Sequence, residues 1–278
     1  MDIFTLFGKD IAELLHTYGQ SYLAGAQSTI VLAVLCTAVG CLIGLVCGIL
    51  QTIPYPQSGR PVLKAALKLV RALARIYVEL FRGTPMILQA VFLYYALPYF
   101  TGNALRFSSV WLAAFTVVSV NTGAYMAETV RGGILSIDIG QTEGAKAIGM
   151  THFKTMLHVI LPQALRNILP QIGNNLIINI KDTSVMFIIG FTDLFAVHKA
   201  VVGATYLYFP SAAIEMGGYL IMTVICSALL RLLEIKMDGP GSYDLSTTDT
   251  LAHTSGTYNY RKKKPVPPYI PKEGGNPV

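Results

Sequence analysis

The chain has 278 residues, of which 53% are hydrophobic and only 13% charged, where soluble domains carry about 25% charged residues. So little charge cannot cover a globular surface in water, which excludes an ordinary soluble domain and leaves lipid as the missing solvent. The net charge of +6 would fit a nucleic-acid binder, but the Lys and Arg residues gather in particular loops and in the tail, as the positive-inside rule describes for membrane proteins.

The apolar residues come in long uncharged blocks. No Asp, Glu, Lys or Arg lies between Glu13 and Arg60, between Arg82 and Arg106, or between Arg106 and Glu128. A helix needs about 20 apolar residues to cross a bilayer, and each block is long enough. Cys36, Cys41, Cys47 and Cys226 lie inside apolar runs without metal-ligand spacing and read as small hydrophobic residues. At the start, Asp2, Asp10 and Glu13 stand against a single Lys9. No basic region precedes the first apolar block, so this start does not read as a cleavable signal.

In chain order, residues 1–22 read as an N-terminal surface segment, with Phe4, Phe7, Ile11, Leu14 and Leu15 on one helical face over 3–15. A first span follows at roughly 23–52, carrying Gly40, Gly44 and Gly48, a small-residue stripe that lets another helix approach closely. Lys64, Lys68, Arg71 and Arg75 share one face over 61–76, which predicts a basic amphipathic helix on the membrane surface. Further spans are expected at 77–99, 108–130, from Pro162 to about 181, and at 207–236. Pro162 suits a helix's first turn, where a missing N–H is harmless, and Pro170 should kink the span it lies in. Residues 183–205 read as a semi-polar connection that re-enters or lies at the outer face. Residues 239–278 hold six of the fourteen prolines and the run Arg261-Lys262-Lys263-Lys264, the composition of a disordered tail. Loop charges place the N-terminus outside and the tail in the cytoplasm.

One segment between spans is helical in pattern. Glu143-Gly144-Ala145-Lys146-Ala147-Ile148-Gly149 is followed after eleven residues by Leu161-Pro162. Gly149 can take the left-handed conformation that ends a helix, and Thr151 can cap the next one. Two short helices at an angle are expected here, jutting from the membrane as a lever or serving only as a connection.

This stretch resembles the coupling-loop motif of permease subunits of ATP-binding-cassette importers. Glu143, Ala145, Gly149, Leu161 and Pro162 stand in register with it, and Gly144 departs where the family usually has Ala. Three further stretches resemble the polar-amino-acid branch of that family: Glu79–Pro85, Gly123–Glu128 and Ile180–Ser184. The resemblance covers most of residues 20–236 and leaves out the tail. It implies an all-α polytopic membrane protein of about five transmembrane helices, with a permease domain at 23–238, a cytoplasmic coupling loop at 141–161 and a disordered cytoplasmic tail at 239–278.

It also implies a subunit without catalytic residues, metal or cofactor of its own, in the inner membrane of the cell. ATP and Mg would be held by two partner ATPase subunits that receive the coupling loop. A second permease subunit, identical or homologous, and an extracellular or lipid-anchored binding protein would complete the assembly. The cargo implied is a polar amino acid, moved by alternating access.

For the pathway, Gln171, Asn175, Asn179 and Asp182 fall within about 80° of one another around a helix, and Asn121, Tyr125 and Glu128 share another face. Ionisable groups inside a membrane must be paired or face water. An amino acid presents one carboxylate and one ammonium, and Lys181 with Asp182 supplies a matching pair beside the hydroxyls of Thr183 and Ser184. The same two charges would equally serve as a structural ion pair at the outer interface, the asparagines as bonds between helices, and Glu128 as a partner for Arg131. Glu215 stands either in the pathway or at the outer headgroups. His152, His158 and His198 show no ligand spacing and read as surface groups. A transporter driven by an ion gradient is disfavoured because five spans contain no internal repeat. A membrane enzyme is disfavoured because no catalytic constellation stands near a span end.

Overall fold

The structure, a computed structural model, describes residues 3–53 and 61–238. The expected tail at 239–278 lies outside the described residues. Contacts divide the chain after Glu234, and of the second unit only 235–238, the end of the last helix, are described. All regular structure among the described residues is helical.

The first helix, α1 (Ile3–Thr52), runs unbroken for 50 residues. The sequence points to a short surface helix and a separate span, but nothing between them breaks a helix, so the two are continuous. The second helix, α2 (Pro61–Gly83), joins the basic amphipathic stretch to the start of the expected second span. At Thr84 and Pro85 the chain turns by 110° into α3 (Met86–Phe100), whose middle turn, Phe92–Ala96, is a π-helix. The expected span at 77–99 is therefore two helical limbs. Pro85 sets the break because it has no N–H to continue the ladder and pushes its predecessor out of the helical region.

The helix α4 (Val110–Leu135) is the most buried of the spans, capped by the Ser109 side chain, which accepts from Leu112 N at 3.1 Å. A short helix α5 (Ile139–Ala147) precedes α6, which runs from His152 to Ile189. The Met156–Ile160 turn of α6 is a π-helix and its last turns, Thr183–Ile189, are 3-10. Gly190, at φ +86, ends it in the left-handed conformation. The expected connection at 183–205 thus folds as the end of α6 and a further helix, α7 (Leu194–Thr205), inclined by 52°. The last helix is α8 (Tyr208–Asp238). Among the described residues, three helices are long and apolar enough to cross a membrane, and up to five crossings result if each bent pair counts as one.

The centre of the fold is the seam between α1 and α4. Gly40, Gly44 and Gly48 lie opposite Thr122, Met126 and Val130, one pair per turn. A Cβ added at Gly40 would stand 2.7 Å from Thr122 Cβ, and one at Gly48 would stand 2.6 Å from Val130 Cγ1. From the other side, a Cβ at Gly123 would meet Ile43 at 2.7 Å. The backbones are closer than any larger residue permits, the device by which helices associate in lipid, where burial against other apolar groups supplies no drive. Around the seam, Leu32, Cys36, Val117 and Met186 bury one cluster, Met126, Val130, Ile160 and Ile168 a second, and Tyr22, Ala33, Ile180 and Leu194 a third. In contrast, α8 exposes Met216, Leu220, Ile221, Val224, Ile225 and Leu229, a surface suited to lipid or to another subunit.

A side chain at the seam should separate the two helices. Gly44→Leu is expected to destabilise the protein by about 1–3 kcal/mol, the range for overpacked interiors, or to prevent its accumulation. Gly19→Ala, with nothing within 4 Å of the added Cβ, is expected to keep the midpoint or raise it, because alanine favours a helix interior over glycine by about 1 kcal/mol. Thermal unfolding in detergent measures both.

Candidate functional site

The break between α2 and α3 leaves backbone carbonyls without helical partners in a low-dielectric environment. Side chains satisfy them. Gln89, nearly buried, donates its Nε2 to Phe81 O, Thr84 O and Thr84 Oγ1, each at 2.9 Å. Asn121 of α4 donates to Phe81 O at 3.1 Å and to Gln89 Oε1 at 3.0 Å. Non-helical backbone at membrane depth is tolerated only where protein or a water-filled cavity surrounds it. Here Gln89 and Asn121 supply protein partners, and the break forms one wall of a cleft of about 760 Å³.

The wall at the break is Arg82 to Ile87; facing it are Asn121, Thr122 and Tyr125 of α4 and Asn175, Ile178, Asn179, Asp182 and Val185 of α6. The volume falls within the range of about 300–1,000 Å³ usual for small-molecule sites. Its polar groups are fixed by bonds to their neighbours. Asn179 accepts from Thr122 Oγ1 at 3.1 Å and donates to Thr37 Oγ1 at 2.8 Å, which ties α6 to α4 and α1 at one point. Asn175 donates to Gln171 O at 2.9 Å and lies 3.2 Å from Met126 Sδ. Arg82 pairs with Glu128, and its guanidinium carbon stands 5.4 Å from the centre of the Tyr125 ring.

The candidate pathway residues are divided by this geometry. Asn121, Tyr125, Asn179 and Asp182 line the cleft together. Glu128 stands behind Arg82 and pairs with it across two helices rather than with Arg131 one turn away. Lys181 is exposed and does not line the cleft. Thr183 is buried and donates to Ile180 O at 3.0 Å, and Ser184 donates to Lys181 O at 2.7 Å; both hydroxyls serve the end of their own helix. The charges in the cleft are thus Arg82 and Asp182. In the sequence Arg82 stands out only as the edge of an uncharged block and within the Glu79–Pro85 stretch, and nothing singles out Gln89. The signal was the Gly83-Thr84-Pro85 interruption inside an apolar segment, which in transport proteins marks helices broken around a site.

A second polar group is separate from the cleft. Glu215 lies 3.7 Å from His198 Nδ1, which also shares a 2.8 Å bond with Ser211, itself 2.6 Å from the Tyr22 hydroxyl. His198 is 2% exposed, so it is a buried helix-to-helix bond and not the surface group its spacing implied. Asp193 caps α7 by accepting from Ala196 N at 2.9 Å and takes the Tyr219 hydroxyl at 3.1 Å.

The coupling stretch forms a knob. Asp138 caps α5, and Met150 N donates to Ala145 O at 3.0 Å while Gly149 N donates to Lys146 O at 2.9 Å. That pair of bonds, with Gly149 at φ +82, is the Schellman ending. Thr151 then caps the start of α6 through Lys154 N at 3.4 Å. The second short helix expected here does not end before Pro162. It continues through Leu161 and Pro162 into the span, with Leu161 N–H reaching back to Met156 O in the π-helical turn just before the proline. Ala145 is buried, Glu143 and Gly144 are exposed, and Ile139, Ile148 and Phe153 present large apolar surfaces outward, each more than 70% exposed. Gln163 of α6 bonds back to Gln141 of α5 at 3.4 Å, so knob and span are linked by side chains as well as by chain.

The family model of the binding-protein-dependent transport system inner membrane component matches residues 62–237. The glutamine transport system permease protein GlnP of Escherichia coli K12 is 36% identical over 213 residues, which cover 77% of this chain and 91% of that protein. The protein of the same name from Shigella flexneri matches to the same extent. Among solved structures, an amino acid ABC transporter crystallised with histidines aligns with a TM-score of 0.69 at 32% identity, covering 80% of this chain and 96% of that one. The inward-facing MetNI methionine ABC transporter aligns at 0.59 with 23% identity over the same shares, a likeness of fold alone.

Replacing Gln89 leaves the carbonyls of the break without their donor. Gln89→Met is expected to lower stability by about 1–3 kcal/mol, the penalty for buried unpaired groups. Thermal unfolding of the purified protein measures it, with Thr84→Ser, which keeps the hydroxyl, as the unaffected comparison.

Proposed function

Because the chain belongs to the inner membrane components of binding-protein-dependent transport systems, we propose that it is the permease subunit of an ATP-driven importer for a polar amino acid, with glutamine the leading cargo. The observation that carries the cargo is the cleft, which presents one cation, Arg82, and one anion, Asp182, across a wall of amides. An amino acid has the complementary pair of charges two bonds apart, on either side of its Cα, and suits a site whose amides are already held by protein partners. Relatives that carry glutamine by name support the same class.

In this reading the α-carboxylate sits towards Arg82 and the ammonium or side-chain end towards Asp182. The apolar knob formed by α5 and the start of α6 docks on an ATPase subunit. Two ATPase subunits, each holding ATP and Mg, and a second permease complete the assembly, and a binding protein delivers the amino acid outside. ATP-driven closure of the ATPase pair pushes the knob, and α6 transmits the movement because it joins knob and cleft without a break. The cleft then opens alternately to each side. The N-terminus faces outward and the tail the cytoplasm of the inner membrane, which places Lys64, Lys68, Arg71 and Arg75 on the positive side.

Two measurements test this. In vesicles holding the assembled transporter, Asp182→Asn is expected to raise the half-saturating L-glutamine concentration for uptake at least about tenfold, the scale of one charge-assisted bond; Lys181→Gln should leave it within about twofold, as expected for an exposed charge. Equal effects from both would contradict the placement. Gly149→Val forces a β-branched residue into a left-handed position and should abolish uptake while ATP hydrolysis persists without substrate control. Normal coupled uptake in that variant would remove the knob from the mechanism.

A further inference from the structure

Arg82 has two neighbours of different kinds. Glu128 of α4 pairs with it, and the Tyr125 ring stands beneath it at 5.4 Å. The pair is not sealed into protein: the Arg82 side chain keeps 39% of its exposure and that of Glu128 keeps 50%. Arg82 lines the cleft and Glu128 does not. Glu128 therefore reaches the guanidinium from outside the cleft, and the guanidinium has further donors for an anion inside it. A solvated ion pair of this kind contributes little net stability, so exchanging one carboxylate for another is nearly balanced.

From this geometry we infer that Glu128 is a removable counter-ion for Arg82, and that the carboxylate of an arriving amino acid takes its place. The inference rests on reading the cleft as the amino-acid site. Its consequence is mechanical. Near the end of α2, beside the contact of Arg82 with the Tyr125 ring, two hydrogen bonds and one ion pair hold the chain to α4: the Tyr77 hydroxyl on Val120 O at 2.6 Å, Asn121 on Phe81 O at 3.1 Å, and the Arg82–Glu128 pair. The first two are bonds to backbone that an amino acid does not compete for. Of these three, the ion pair is the link that a carboxylate can displace, so occupancy of the cleft releases Glu128 of α4 while the break itself stays anchored by the two hydrogen bonds. Glu128 acts through Arg82 and is a positioning residue.

The test is equilibrium binding of L-glutamine to the detergent-solubilised permease–ATPase assembly without binding protein. Removing the competitor should strengthen binding: Glu128→Gln is expected to lower Kd by about fivefold, the ceiling for an exposed pair. Glu128→Asp, which keeps the charge, should restore the wild-type value. The gain should be confined to ligands with a carboxylate, so 4-aminobutanamide, glutamine without its carboxylate, should bind the wild type and Glu128→Gln equally weakly. Damage to a merely structural pair does not tighten binding. If Arg82→Gln weakens glutamine binding but Glu128→Gln leaves it unchanged or weaker, the counter-ion exchange is overturned and the cleft reading stands. If Arg82→Gln leaves Kd unaltered, the cleft reading fails and this inference with it. If neither Glu128→Gln nor Glu128→Ala assembles while Glu128→Asp does, the pair is a structural strut and the exchange is overturned.

Discussion

The close approach of α1 and α4 is the constraint on which the remaining geometry depends. Gly40, Gly44 and Gly48 allow Thr122, Met126 and Val130 to pack against bare backbone. In lipid such contact must come from shape and dispersion, because apolar burial gains nothing over the acyl chains. The seam fixes more than a packing distance. Thr37 lies one turn before Gly40 on α1, and Thr122 lies opposite Gly40 on α4; both hydroxyls bond to Asn179. The asparagine at the cleft wall is therefore held by the same two helices that the glycines bring together. A larger residue in the seam would move both of its partners.

The second organising feature is the break at Thr84 and Pro85. A continuous helix there would satisfy its own backbone and offer no polar surface at depth. The break creates orphan carbonyls, Gln89 and Asn121 supply their donors, and Arg82 and the start of α3 are left facing a cavity. The amides that line the cleft are thus not free ligands waiting for cargo. Most already have protein partners, which sets their orientation before anything binds and, in the proposed reading, leaves recognition to the two charges.

Much of this was legible in the sequence. Uncharged blocks between Glu13 and Arg60 and between Arg106 and Glu128 gave the membrane class, and the Gly40 stripe gave the seam. Gly149 and Thr151 marked the knob because left-handed glycine and hydroxyl caps are local chemistry. What the sequence could not give was non-local. The pairing of Arg82 with Glu128 joins residues with no spacing relation. Lys181 and Asp182 are adjacent in the chain, but consecutive helical residues point about 100° apart, so Asp182 lines the cleft and Lys181 does not. The continuity of α1 through residues 3–52 was hidden by the change from an amphipathic to an apolar pattern, which alters the surroundings of a helix without ending it. His198 looked like a surface group because burial by Ser211 and Glu215 depends on where α8 packs.

The central claim is that an amino acid is held between Arg82 and Asp182 in the cleft between the α2–α3 break and α4 and α6. An experimental structure of the assembled transporter with L-glutamine, determined without the binding protein, tests it most directly. The account predicts density for the amino acid in this cleft, its carboxylate on Arg82 and its other end toward Asp182. Glutamine bound elsewhere while lipid or ordered protein fills the cleft would contradict it.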